Sequence, residues 1–168
     1  MIGGIFDVSD IERQLKAQLD IADLNARYVE ALDEARFEEW PELFTNDGKY
    51  RVTTAENVEQ NLPLSMIWST SRAMLRDRIK ALREANIYEA QRYRHILGAA
   101  RVTLAADGSL EARTNFMVAR VMRTGETALF ATGRYLDRVV VSGGTALFAE
   151  KAVILDSRQI DTLLAIPL

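Results

Sequence analysis

The stretch LEARTNFMVARVMRTGETALFATGRYLDRVVVSGGTALFAEKAVILDS, residues 110–157, decides the fold. In its first part Leu110, Ala112, Thr114, Phe116 and Val118 alternate with Glu111, Arg113 and Asn115. A period of two places alternate side chains on opposite faces of a strand, so one face is apolar and the other polar. Gly125-Glu126 and Gly143-Gly144 interrupt the stretch with residues suited to hairpin turns. Strands are expected over 110–124, 127–141 and 145–157. Residues 93–104 read as another strand, separated by the turn signal Asp107-Gly108. Strands of this length must twist and curve.

The half of the chain that precedes these strands is helical in pattern. Ser9 and Glu12 have capping-box spacing, and a helix is expected from there to about Ala35. Ile11, Leu15, Leu19, Ala22, Ala26 and Val29 recur at steps of three and four, which predicts one buried stripe. Ile21, Leu24, Tyr28 and Leu32 widen it, as expected of a helix that covers a sheet. A short helix is expected in FEEWPELF, with Pro41 tolerated in its first turn. Thr45-Asn46-Asp47-Gly48 reads as a turn, and Lys49 to Thr54 as a strand. Residues 55–70 show the least regularity. A third helix is expected from Ser71 to Asn86 with Met74, Leu75, Ile79 and Leu82 buried. Helices first and a strand meander afterwards give the α+β class, with a curved antiparallel sheet wrapped around the N-terminal helices as a cone. No repeat or linker divides residues 1–168, so one domain is expected.

Composition excludes several kinds of chemistry. The chain of 168 residues carries no cysteine and one histidine, His95. A Rieske cluster needs two cysteines and two histidines, and a mononuclear iron triad needs two histidines and a carboxylate. Neither set exists here, so no cofactor or metal is expected on this chain. The net charge of −3 argues against a nucleic-acid surface. No apolar run approaches the roughly 18 residues that span a bilayer. The acidic start is no secretory signal, and zero cysteine suits a cytoplasmic protein. Gly3-Gly4 lacks the spacing and preceding strand of a phosphate cradle.

The run RYRHILG, residues 92–98, holds the densest group of functional side chains. On a strand, Arg92 and Arg94 face one side and Tyr93 and His95 the other. Arg78 and Arg83 lie on the preceding helix. Such arginines suit bidentate pairing at an interface, an internal ion-pair network with Asp77, Glu84 and Glu89, or an anionic-ligand pocket. Interface and network stand level from spacing alone, with the pocket behind. A serine triad would set His95 beside Ser65, Ser69 or Ser71, but no nucleophile elbow surrounds any of them. A metal-free acid–base site could draw on His95, Tyr50, Tyr93, Asp47 and Asp33. The plainer reading makes Asp47 a turn residue and Asp33 a helix-surface acid.

The stretch DRIKALREANIYEAQRYRHILG, residues 77–98, resembles the small (β) subunit of aromatic-ring-hydroxylating dioxygenases. EEWPELFTNDGKYRVT, FMVARVMRTGETALFATGRYLDR and EKAVILDSRQIDTLLAIPL resemble the same family, and the likeness runs from about Ile21 onward. It lies nearest the terephthalate-type oxygenases, with those for salicylate, anthranilate and halobenzoate next. Residues 1–20 match less well and read as an extension of the first helix. The resemblance implies a cystatin-like cone, as in ketosteroid isomerase and scytalone dehydratase. It implies a large (α) subunit that carries the Rieske cluster and mononuclear iron, an α3β3 assembly with trimeric small subunits, and a reductase that supplies electrons. Under it Arg78, Arg83, Arg92, Arg94 and His95 become interface or structural residues, and no catalytic residue is carried over. The expected role is structural support of a catalytic large subunit. The alternatives are a free-standing isomerase, dehydratase or ligand binder on the same cone, and a homo-oligomeric structural protein.

Overall fold

The computed structural model describes residues 7–85, 90–158, 164 and 166–168. Gly3, Gly4, Asn86 and Glu89 therefore lie outside the described residues. Helix α1 spans Val8–Asp33, without an internal glycine or proline, and carries the i,i+4 ion pairs Lys16–Asp20 and Asp23–Arg27. Its cap differs from the expected capping box. Asp7 is the N-cap and accepts from the Ser9 amide, while the Ser9 hydroxyl donates to the same carboxylate. Ala35, with φ of 55°, turns the chain out of the helix.

The buried side of α1 is Ala17, Ile21, Leu24, Asn25, Tyr28, Ala31 and Leu32. Ile11, Leu15 and Leu19, expected to be buried, are 51%, 58% and 63% exposed. Both apolar stripes satisfy helical periodicity, and only the sheet decides which one it covers. Gln14 fixes the orientation by donating to the Val102 carbonyl at 3.0 Å.

A 3₁₀ turn at Trp40–Leu43, with Pro41 in its first turn, leads into β1, Phe44–Thr54. The expected turn at residues 45–48 is instead an irregularity within β1, whose register shifts between Phe44 and Lys49. Gly48 permits it, because a Cβ there would lie 2.8 Å from Phe44 Cβ and 2.9 Å from the Thr45 oxygen. The irregular-looking stretch 55–70 contains α2, Ala55–Glu59, capped by Thr54, and β2, Ile67–Ser69, antiparallel to β1. Helix α3 is Arg72–Ala85 and buries Leu75, Ile79 and Leu82. Met74 is 42% exposed, contrary to the expected burial, and its sulfur accepts from Thr70.

The expected strand 93–104 is two strands, β3 (Gln91–Leu97) and β4 (Arg101–Leu104), separated at Gly98. Both pair antiparallel with β5, Leu110–Met122. Strands β6, Thr127–Ser142, and β7, Thr145–Leu155, complete the meander. The order β2-β1-β7-β6-β5-β3 makes β1 a parallel neighbour of β7, the one parallel pairing among the described strands. Helix α1 packs on β3, β4 and β7, and α3 on β1 and β2. The inward faces of the strands and of both helices thus enclose one core.

That core is dense with aromatic rings. Tyr28, Trp40, Phe44, Tyr50, Tyr135 and Phe148 are fully buried, and Phe116 stacks on Tyr135 with centroids 4.4 Å apart. At Gly133 the backbone of β6 leaves no room for a side chain, since a Cβ there would lie 2.1 Å from the Ile154 oxygen. Among the described residues no helix is long and apolar enough to cross a membrane.

Candidate functional site

Strand β3 sets the inward and outward sides of the arginine–histidine run by pairing in register with β5. Arg92 and Arg94 are exposed, whereas Tyr93 and His95 are buried, as alternation predicts. His95 sits opposite Val118 and faces the end of α1.

There it meets Asp33, the last residue of α1. The His95 amide donates to both carboxylate oxygens, at 3.0 and 3.2 Å, and Nδ1 lies 2.6 Å from Oδ1. Neither side chain reaches solvent to any extent, at 0% and 4% exposed. Asp33 is therefore no helix-surface acid. A carboxylate at a helix C-terminus opposes the helix dipole, and donors from β3 compensate it. His95 Nε2 is buried and has no hydrogen-bond partner among the described residues.

Three arginines hold partners around this region, while Glu89, one of the expected partners, lies outside the described residues. Arg94 lies 3.3 Å from Glu34 and 3.8 Å from Asp33. Arg83 grips Glu38 at 2.8 and 3.0 Å, donates to the Ala35 carbonyl at 2.9 Å and covers the Phe37 ring. Hydrogen bonding from Arg83 holds the Glu38 carboxyl below its ordinary range. Arg78 donates to the Leu164 carbonyl at 2.7 Å, and burial lowers its pKa. Asp77 makes no ion pair with these arginines, and Glu84 pairs with Lys80 at 3.8 Å. The network thus runs to the C-terminal end of α1 and the loop after it. Arg92 projects from β3 without an ion pair among the described residues. It borders a cavity of about 110 Å³ lined also by Asp33, Phe37, Tyr93 and Ile166.

The remaining candidates separate. Asp47 is exposed and accepts from Thr45, so it is a local backbone device. Ser69 lies on β2 opposite Tyr50, and the Ser71 hydroxyl accepts from the Met74 amide. The hydrogen bonds of His95 go to Asp33 and to none of the serines. Tyr50 is fully buried, and burial pushes its phenol up to about 12. No group of three or more His, Cys, Asp or Glu among the described residues is placed to hold a metal ion.

Two buried features gave no signal in the sequence. Lys151 and Asp137 are register partners on β7 and β6, both fully buried, with Nζ 3.0 Å from the carboxylate. Burial drives each toward its neutral form, and their mutual attraction opposes that. Lys151 Nζ also lies 3.8 Å from the Tyr135 ring centroid and 4.4 Å from those of Tyr28 and Phe148. The second is the seating of residues 166–168 in the interior, where Ile166 and Leu168 are 3% and 0% exposed. A lysine in an alternating strand gives no hint that it points inward; only its position opposite Asp137 does so.

This geometry matches known proteins along nearly the whole chain. The family model described as Ring hydroxylating beta subunit matches residues 27–162. Terephthalate 1,2-dioxygenase, terminal oxygenase component subunit beta 1, from Comamonas sp., is 45% identical over 151 residues. That span is 90% of this chain and 98% of the relative. A crystal structure from Novosphingobium aromaticivorans, of the beta subunit of a protein assigned as an aromatic-ring-hydroxylating dioxygenase, superposes with a TM-score of 0.85 at 37% identity. The match covers 93% of this chain and 99% of that one. An NTF2-like protein with a cystatin-like fold from the same organism has a TM-score of 0.67 at 20% identity, covering 98% and 100% of the two chains. It shows the fold alone, an α+β cone with a curved sheet around the N-terminal helices. With the family model matched over most of its length, the chain belongs to the small (β) subunits of aromatic-ring-hydroxylating dioxygenases.

Proposed function

We propose that this small subunit serves as a scaffold for a catalytic large subunit in an oxygenase that acts on an aromatic acid of the terephthalate type. The observation that carries the reading is 45% identity over 98% of the length of a terephthalate dioxygenase β subunit. In this reading residues 1–168 form one small-subunit domain, with the N-terminal part of α1 preceding the region shared with the family. The Rieske cluster and mononuclear iron reside on the large subunit, and a reductase feeds it electrons. Small subunits trimerise within an α3β3 assembly in the cytoplasm.

The surface supports an assembling role. On the outward face of the sheet, Ile96 and Met117 are register partners and are 53% and 43% exposed. Leu129 is 65% exposed two positions before Ala131, the register partner of Val118. Arg101 and Arg113 stand directly opposite each other on β4 and β5, and neither has an ion-pair partner among the described residues. Like charges facing across strands are destabilising until a partner supplies counter-charge. Contiguous exposed apolar side chains beside unpaired arginines are what an interface requires. Arg92 is proposed to contact the partner, while Arg78, Arg83, Arg94 and His95 hold the corner that presents it. The competing ligand-binder reading needs an enclosed pocket with His95 or a buried carboxylate at its base. Here the interior is occupied by aromatic side chains and by residues 166–168.

The test is co-expression with a terephthalate-type large subunit, followed by native mass and iron analysis. Equal amounts of both chains, with iron found in the complex only, are expected. Absence of association, or equal turnover by a large subunit assembled alone, overturns the reading. His95→Gln should weaken assembly before any chemical step, and intact assembly with abolished turnover would reverse that assignment.

A further inference from the structure

Helix α1 carries two apolar faces, and the cone covers one of them. Ala17, Ile21, Leu24 and Tyr28 are buried against the sheet. Val8, Ile11, Leu15 and Leu19 are 67%, 51%, 58% and 63% exposed, and the exposed Ala22 and Ala26 continue their line. At about 3.6 residues per turn the second face lies half a turn from the first, so it points away from the core. Its residues follow the 3-4-4 spacing of an eleven-residue repeat, which keeps the stripe on one side of the helix. Residues 8–13 are all exposed, so the start of α1 stands clear of the body. The whole stripe precedes residue 27, where the match to the family begins.

The order of residues along the stripe fits a second copy laid antiparallel. With a two-fold axis at Leu19, that side chain meets Leu19 of the second copy. Leu15 then falls opposite the second copy's Ala22, and Ile11 opposite its Ala26. A large side chain faces a small one in each outer layer, so the two backbones can approach closely. One edge of the stripe is charged, with Glu12 and Lys16 toward its start and Asp23 and Arg27 toward its end. The same axis sets Lys16 beside Asp23 of the second copy and Glu12 beside its Arg27. Lys16 and Asp23 are 65% and 68% exposed, and their ion pairs within the helix, to Asp20 and Arg27, leave them able to share a second partner. A parallel pair instead sets this edge against the uncharged edge with Gln14 and Gln18 and meets no counter-charge. Exposed ion pairs add little energy, so here they fix direction and register while the apolar stripe supplies the attraction.

We propose that α1 pairs antiparallel with α1 of a second copy of this chain, through the stripe from Ile11 to Ala26 and about a two-fold axis at Leu19. This contact is separate from the three-fold arrangement and from the large subunit proposed above. The seam is short, and a dissociation constant on the order of micromolar is expected. Below that concentration the chain is single, and Leu15→Glu leaves its folding unchanged.

Sedimentation of the full chain, at concentrations from below to far above micromolar, tests this. A monomer–dimer equilibrium is expected, and Leu15→Glu with Leu19→Glu should leave monomer alone. Lys16→Glu should weaken the dimer about tenfold or more, because two-fold symmetry repeats each contact. Adding Asp23→Lys should restore it, since the charges are then exchanged rather than lost. The chain has no cysteine, so Leu19→Cys places one thiol at the axis. Oxidation should link that variant into dimers, whereas Lys80→Cys, at a position 72% exposed on α3, should stay unlinked. A chain that remains monomeric throughout overturns the proposal, as does association that survives Leu15→Glu with Leu19→Glu. Failure of Asp23→Lys to rescue Lys16→Glu overturns the antiparallel register. Helix variants that still self-associate but no longer bind a large subunit would give the stripe to that subunit, and so overturn it too.

Discussion

Asp33 accepts three hydrogen-bond contacts from a single residue, His95, across 62 positions of sequence. The imidazole and the amide of His95 both converge on the carboxylate that ends α1, so this one pair ties the helix to β3. Asp33→Ala leaves a buried ring nitrogen and a buried amide without an acceptor. A loss of about 3 kcal/mol or more is expected. Asp33→Asn keeps one acceptor oxygen and should lose less. Urea unfolding of the full chain measures both, and equal losses would deny the carboxylate its special part.

Lys151 and Asp137 make a second prediction. Removing one member of a buried pair strands the other. Lys151→Met should therefore cost about 3–5 kcal/mol, while Lys151→Met combined with Asp137→Leu should recover most of it. The cation also sits against three rings, so the double variant is expected to stay somewhat below the natural chain. A double-mutant cycle in urea checks the coupling. Strictly additive losses would mean that the pair does not act as a unit.

The acid limb of the stability curve has an identifiable contributor. Asp107 accepts from the Ser109 hydroxyl and amide and from Arg138, which lowers its pKa to about 2. Its unfolded value is about 3.9. A carboxyl depressed in the folded state contributes stability above the unfolded value, and loses it as pH falls through the folded one. Asp107→Asn should flatten the fall of Tm between about pH 4 and pH 2 and leave the neutral region with a constant offset. Parallel curves for the two proteins over that window would remove Asp107 from the account.

The two stripes of α1 should respond oppositely to substitution. Leu24 is 0% exposed, and Leu24→Ala should cost about 2–5 kcal/mol. Leu15 is 58% exposed, and Leu15→Glu should change the stability of the isolated chain by less than about 0.5 kcal/mol. Thermal unfolding separates them. A large loss for Leu15→Glu would place that residue in contacts made between copies of the chain.

Local pattern carried much of the fold. The alternation from Leu110 to Val118 and the glycines at 108, 125, 143 and 144, all with positive φ, correctly located the meander. Elsewhere local pattern was ambiguous. Ile11, Leu15 and Leu19 have helical periodicity as good as that of the stripe that is buried. TNDG reads as a turn because its residues favour turns, yet pairing with β7 draws it into β1. Strand β2 is three residues long and exists only because β1 offers it an edge. At the candidate site, the alternation of RYRHILG sets Tyr93 and His95 on one side and Arg92 and Arg94 on the other, but packing decides which side is inward, and the acids that Arg83 and Arg94 meet, Glu38 and Glu34, lie far away along the chain.

By itself the sequence determined the α+β class, the meander and its turns, the placing of Tyr93 and His95 on the opposite side of their strand from Arg92 and Arg94, and the family to which the chain belongs, because period, turn chemistry and family motifs are carried by neighbouring residues. Only the tertiary structure decided which face of α1 is covered, that β1 runs parallel to β7, that His95 meets Asp33, and that Lys151 and Leu168 lie inside. Each of these depends on groups far apart along the chain, brought together by packing and by the need to satisfy buried polar atoms. No local pattern encodes such pairings.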